Sequence, residues 1–172
     1  MKFKNNINSI KGFTLIELII YIAIIGIIVS GFISYFLSVG GIRNKNYSVS
    51  TVQSNGRNAM QIMERKIHEA QSVSVPSSGA SSTVLVLISS GGNASTTFSI
   101  LNGVLFMKET GVATTTITDN KITISNLTFT NLSPVSSRAN IHIEMTINYN
   151  VGAGDTQFGY NKSYKTSVST RI

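Results

Sequence analysis

Residues 12–42 read GFTLIELIIYIAIIGIIVSGFISYFLSVGGI, and the 25 positions from Leu18 to Ile42 carry no formal charge. As an α-helix that uncharged run extends ~37 Å at ~1.5 Å per residue, more than the ~30 Å hydrocarbon core of a bilayer. The other home for such a run is the centre of a soluble fold. A chain of 172 residues, the size of a single domain with one appendage, has too little mass to wrap it. A membrane span is therefore predicted. Upstream lies MKFKNNINSIKG, with Lys2, Lys4 and Lys11 and no acid. The positive-inside rule then predicts a single-pass protein with its N-terminus in the cytoplasm and the remainder exported.

Composition narrows the classes further. Charged residues make up only 12% of the chain and hydrophobic residues 42%, which excludes disorder driven by charge. With no cysteine, disulfide frameworks, Cys-ligated zinc, iron–sulfur clusters and thiol catalysis are excluded together. The net charge of +7 is a weak basis for nucleic-acid binding, because without residues 1–12 the balance is 11 basic against 7 acidic residues.

An ordinary secretory signal places its apolar stretch before a small-residue cleavage site. Here a polar, basic leader is followed directly by the apolar run, with Gly12 at the junction and one acid, Glu17, just inside it. A lone carboxylate near the bilayer centre costs ~2.5–3.5 kcal/mol, so Glu17 needs the interface or a cationic partner. Near a helix N-terminus it is also stabilised by the macrodipole, whatever else it does. The reading G-F-T-L-I-E-L over Gly12–Leu18 after a basic leader resembles the class III signal of type IV prepilins and type II secretion pseudopilins. The resemblance implies cleavage after Gly12 by prepilin peptidase, N-methylation of the new terminal Phe13, and assembly into a helical filament. It also implies that Glu17 neutralises the terminal amine of a neighbouring subunit and so sets subunit register.

Past Gly40 and Gly41, Val49, Val52, Gly56, Ala59, Met63, Ile67 and Ala70 recur at spacings of three and four, the mark of a helix with one narrow apolar face. Glycine and alanine keep that face shallow, so a sheet can approach closely. On the other faces Arg65 and Glu69 are spaced as an i,i+4 pair. One helix from Phe13 to about Gln71 is predicted, with a bend or a break at Gly40-Gly41 as the alternative. From Pro76 the texture becomes a turn-rich linker, 76–82, and then Ser, Thr, Asn and β-branched residues in strand-length segments. Strands are predicted at about 83–88, 97–101, 104–108, 114–118, 121–130, 140–150 and 164–171. Asn102-Gly103 signals a type I′ hairpin. In IHIEMTINY, 141–149, odd positions are apolar and even ones polar, so one face needs a cover, which the amphipathic helix can supply.

The expected fold class is therefore α+β: a long N-terminal helix packed on a C-terminal antiparallel β-sheet domain. Its expected divisions are a cleaved leader over 1–12, a transmembrane and assembly helix over 13–42, an amphipathic continuation over 43–75, and a β-rich head over 76–172. The order GVLFMKETG, TDNKITISNLTFTNL, an alternating strand and a terminal SYKTSVSTR is similar to the heads of minor prepilins of the J-type pseudopilin group. Major pilins often close a C-terminal loop with a disulfide, which this cysteine-free chain cannot do, a departure that favours a minor or secretion-type subunit or a lineage that stabilises this region otherwise.

Enzyme chemistry finds no foothold. His68 and His142 lack metal-binding or acid–base spacing, the serines lack a G-x-S-x-G elbow, and no glycine-rich phosphate cradle precedes a helix. Asp119-Asn120 and Gly154-Asp155 could offer oxygens to Ca²⁺ but fall short of its six to eight ligands. No catalytic residue, metal or cofactor is expected, and no small-molecule substrate. The expected partners are prepilin peptidase, other pilin or pseudopilin subunits, the inner-membrane assembly platform and the membrane, with nucleic acid only in a competence pilus. Two functions fit: a structural subunit held in the bacterial inner membrane and then polymerised, or a membrane-anchored or filament-tip binding module for adhesion or DNA uptake.

Overall fold

The computed structural model describes residues 12–90, 92, 94–134, 138–151 and 159–171. The leader before Gly12, Gly91 and the Gly154-Asp155 pair lie outside the described residues. The chain divides into two compact units at Ile42 and Arg43. In the first, residues 15–42 belong to helix α1, Leu15–Glu69, and every large hydrophobic side chain from Leu15 to Leu37 is exposed.

In the second unit α1 behaves as an amphipathic element. Val52, Gly56, Ala59, Met63 and Ile67 are buried at the predicted spacing, Val49 is half-buried, and Met60 widens the stripe. The helix ends when Ala70 N–H turns back to Ile67 C=O (3.2 Å) and Gln71 N–H leaves for Ile88 C=O (2.9 Å).

Among the described residues nine strands follow: β1 Ser72–Val75, β2 Ser81–Ser82, β3 Leu85–Ile88, β4 Ser95–Leu101, β5 Val104–Glu109, β6 Thr115–Thr116, β7 Ile122–Asn131, β8 Asn140–Tyr149 and β9 Asn161–Ser169. They form two antiparallel sheets, ordered β1-β3-β4-β5-β6 and β2-β7-β8-β9, the antiparallel β domain that was expected after the helix. Two elements depart from the sequence reading. Residues 72–75, expected in the helical 43–75 segment, pair with β3, and their valines make an edge strand once Leu85–Ile88 is alongside. The linker contributes β2, which pairs with the far end of β7. The predicted 114–118 strand shrinks to two residues because Leu105 N–H takes the Thr118 hydroxyl (3.1 Å) in place of a ladder carbonyl.

The β4–β5 hairpin turns at Asn102 (φ 51°) and Gly103 (φ 76°), the positive pair that the sequence signal requires. Gly103 also joins the two sheets. Its carbonyl accepts Ile124 N–H from β7 (2.8 Å), and a Cβ there would overlap the Thr123 methyl. In β8, Ile141, Ile143, Met145 and Ile147 are wholly buried, as the alternation predicted, and they share one core with Met63, Phe98 and Phe129.

Tyr164 of β9 shows why the helix stripe must be shallow. Its ring occupies the space that a Gly56 Cβ would need, and its hydroxyl donates to Val52 C=O (3.3 Å). Burial raises the Tyr164 hydroxyl above its ordinary pKa, with Tyr160 adding to the shift. Glu69 pairs with Lys66 (3.6 Å) instead of the anticipated Arg65, and Lys66 reaches Glu109 of β5 (2.7 Å). The ammonium finds a second carboxylate there, which an Arg65 on another face of the helix would not.

Candidate processing and assembly site

Gly12, Phe13 and Thr14 precede the helix and are exposed. The peptide bond between Gly12 and Phe13 therefore belongs to no helical turn, and a Cβ on Gly12 would meet only open space. A protease can take this bond in extended form without unwinding α1.

Thr14 starts the helix. Its carbonyl accepts Glu17 N–H (3.1 Å) and Leu18 N–H (3.2 Å), and its hydroxyl accepts Glu17 N–H at 3.4 Å. This is half of a capping box, Thr-x-x-Glu, with Thr14 at the N-cap and Glu17 at the third helical position. The reciprocal half is replaced. The half-buried Glu17 carboxylate accepts the Tyr21 hydroxyl one turn on, at 3.4 Å, and the Phe13 ring meets Tyr21 edge to face at 6.0 Å. Phe13, Glu17 and Tyr21 thus converge on one side of the helix start. The capping role of Thr14 and the part of Tyr21 escaped the sequence reading, although the Thr-x-x-Glu spacing and the i,i+4 relation of Glu17 and Tyr21 are both visible in the sequence.

The other candidates do not converge. His142 Nδ1 sits 2.9 Å from Ser167 Oγ across β8 and β9, and His68 is exposed, its carbonyl accepting Arg171 N–H (3.2 Å). Asp119 N–H donates to Asn55 Oδ1 (3.0 Å), fixing that loop to the helix. Among the described residues no three His, Asp or Glu side chains gather as a metal site.

Residues 7–33 match the family described as Prokaryotic N-terminal methylation motif. The match spans Gly12, Phe13 and Glu17 and ends within the apolar run. Comparison with the curated proteins gives no match, and comparison with the solved structures gives none. The motif indicates an N-terminal signal of the pilin or pseudopilin type, a substrate for prepilin peptidase. With it goes a helix long and apolar enough to cross a membrane, which fits membrane anchoring.

Proposed function

We propose that the chain is a minor structural subunit of a type IV pilus or type II secretion pseudopilus, of the J-type group. In this reading it rests in the bacterial inner membrane with its N-terminus in the cytoplasm and its head outside. It is cleaved after Gly12, methylated on Phe13, and passed by the assembly platform into a filament whose core is made by helices such as Leu15–Ile42. The observation that carries the reading is the exposure of that apolar segment all round, interrupted by one acid in its first turn. A helix apolar on every side needs lipid or other such helices as its solvent.

Glu17 has a defined part in that assembly. In an apolar medium a cationic amine 4 Å from a carboxylate gains ~4 kcal/mol at an effective dielectric near 20, before desolvation is subtracted. The Tyr21 hydroxyl, at 3.4 Å, is a weak neutral partner that an incoming amine displaces readily.

Processing is tested by intact mass: the mature chain starts at Phe13 and carries one extra methyl group. Met1 retained in a host with active prepilin peptidase overturns the reading. Assembly is tested by the ratio of Glu17→Ala subunit in sheared fibres to that in membrane. Cleavage and anchoring persist, while fibre incorporation falls at least tenfold, a loss of ~1.4 kcal/mol or more. Wild-type incorporation removes the role of Glu17 and favours a membrane-anchored or tip-located binder.

A further inference from the structure

Glu17 is the one acid in the stretch from Phe13 to Ile42. The Tyr21 hydroxyl donates to its Oε1 at 3.4 Å, the only hydrogen bond between two side chains among the described residues of that stretch. Ser30 and Ser34 turn back on helix carbonyls instead, Ile27 C=O at 2.8 Å and Ser30 C=O at 3.1 Å. The Tyr21 ring is itself braced, because Phe13 packs edge-on against it at 6.0 Å. One tyrosine thus ties the acid to the residue whose amine cleavage would free.

In hydrocarbon water is absent as an alternative partner, so an acid without a donor there is costly and even a long hydrogen bond counts. Yet 3.4 Å is well beyond the ~2.5–2.7 Å of a short hydroxyl–carboxylate bond, and a hydroxyl brings no charge of its own. The contact satisfies Glu17 while the subunit is alone and loses to a cationic amine when a neighbour supplies one. An interaction made before assembly and surrendered in it favours the unassembled state by its own free energy.

We propose that the Tyr21 hydroxyl is the resting partner of Glu17, competing with the neighbouring subunit's amine and so holding back entry into the fibre until that amine arrives. The inference rests on the assembly reading above, in which Glu17 pairs with that amine. It gives the two groups opposite signs. Losing the acid abolishes the pair, whereas losing the hydroxyl removes only its competitor.

The test is a competition between two full-length chains made in one cell at matched membrane levels. Tyr21→Phe keeps the ring that Phe13 packs on and deletes only the hydroxyl, a difference of one oxygen that intact mass resolves. Its share in sheared fibres, divided by its share in membrane, should exceed that of the native chain about two- to threefold, the equivalent of ~0.5 kcal/mol for a weak hydrogen bond. The same comparison in a Glu17→Ala background should show no difference, as a contact acting only through that acid requires. Tyr35→Phe, which takes a hydroxyl from further along the run, should leave the share unchanged. Infrared spectra of the chains in vesicles give a second reading without fibres. The carboxyl band that Glu17→Gln removes should shift in Tyr21→Phe and stay put in Tyr35→Phe.

An equal or lower share for Tyr21→Phe, or a rise that persists without Glu17, overturns the competition while leaving the role of Glu17 in place. An unmoved carboxyl band does the same. Wild-type incorporation of Glu17→Ala overturns the assembly reading, and this inference with it.

Discussion

Two stretches of the same helix use glycine and apolar residues in opposite ways. Gly26, Gly31, Gly40 and Gly41 have nothing within 4 Å of where a Cβ would lie, and the isoleucines around them are exposed. Gly56 is pressed against Tyr164, and its neighbours Val52, Ala59, Met63 and Ile67 are buried to the last atom or nearly so. The 43–69 stretch finds its apolar partner within the chain, as a narrow stripe against two sheets. The 15–42 stretch is apolar all round and its large side chains are exposed, which fits membrane anchoring. Burial thus separates a stretch that stabilises the head from one whose exposure fits membrane anchoring, although both are α1.

The strongest way to break this contrast is to remove one large apolar side chain from each part. Phe129→Ala in β7, wholly buried, should lower head stability by about 3–5 kcal/mol. Phe32→Ala, at a residue 59% exposed, should leave the cooperative melt of the head unchanged. Thermal unfolding of the full chain in detergent, followed by circular dichroism, checks both. Equal losses would mean that the two units unfold as one.

A finer test uses the glycines. Gly56→Ala forces the Tyr164 ring to move, costing about 1–3 kcal/mol by overpacking against a helix-propensity gain of up to ~1 kcal/mol, and should lower the urea midpoint. Gly31→Ala, with open space around it, meets no such opposition and should leave that midpoint unchanged. Combining Gly56→Ala with Tyr164→Leu, which empties the obstructed space, should recover part of the loss.

The smallest expected effect is electrostatic and confined to the head. Lys165, 2.6 Å from Glu144 across β8 and β9, lowers the Glu144 carboxyl below its ordinary 4.5, through the hydrogen bond first and charge second. A lowered folded pKa contributes stability that is present above about 4.5 and is lost as pH falls through the lowered value. Glu144→Gln should therefore flatten the acid limb of stability below that point and change little at pH 7, because both partners are substantially exposed. A pH series of urea midpoints reads this directly.

Local periodicity carried most of what could be read without coordinates. The uncharged run, the stripe from Val52 to Ile67, the Asn102-Gly103 turn and the alternation of Ile141 to Ile147 are each recorded within a few neighbouring residues, and a dihedral or a burial pattern follows from them directly. The motif spanning Gly12, Phe13 and Glu17 is equally local. What the coordinates alone decided depends on residues far apart in sequence. Residues 72–75 become a strand only because Leu85–Ile88 lies beside them, and β2 exists only against Thr130 and Phe129. Gly103 joins the two sheets by meeting Ile124, and Lys121 joins Tyr47 across 74 positions. Such pairings are set by how the whole core closes, since a strand's partner, unlike its period, is written nowhere in its own residues.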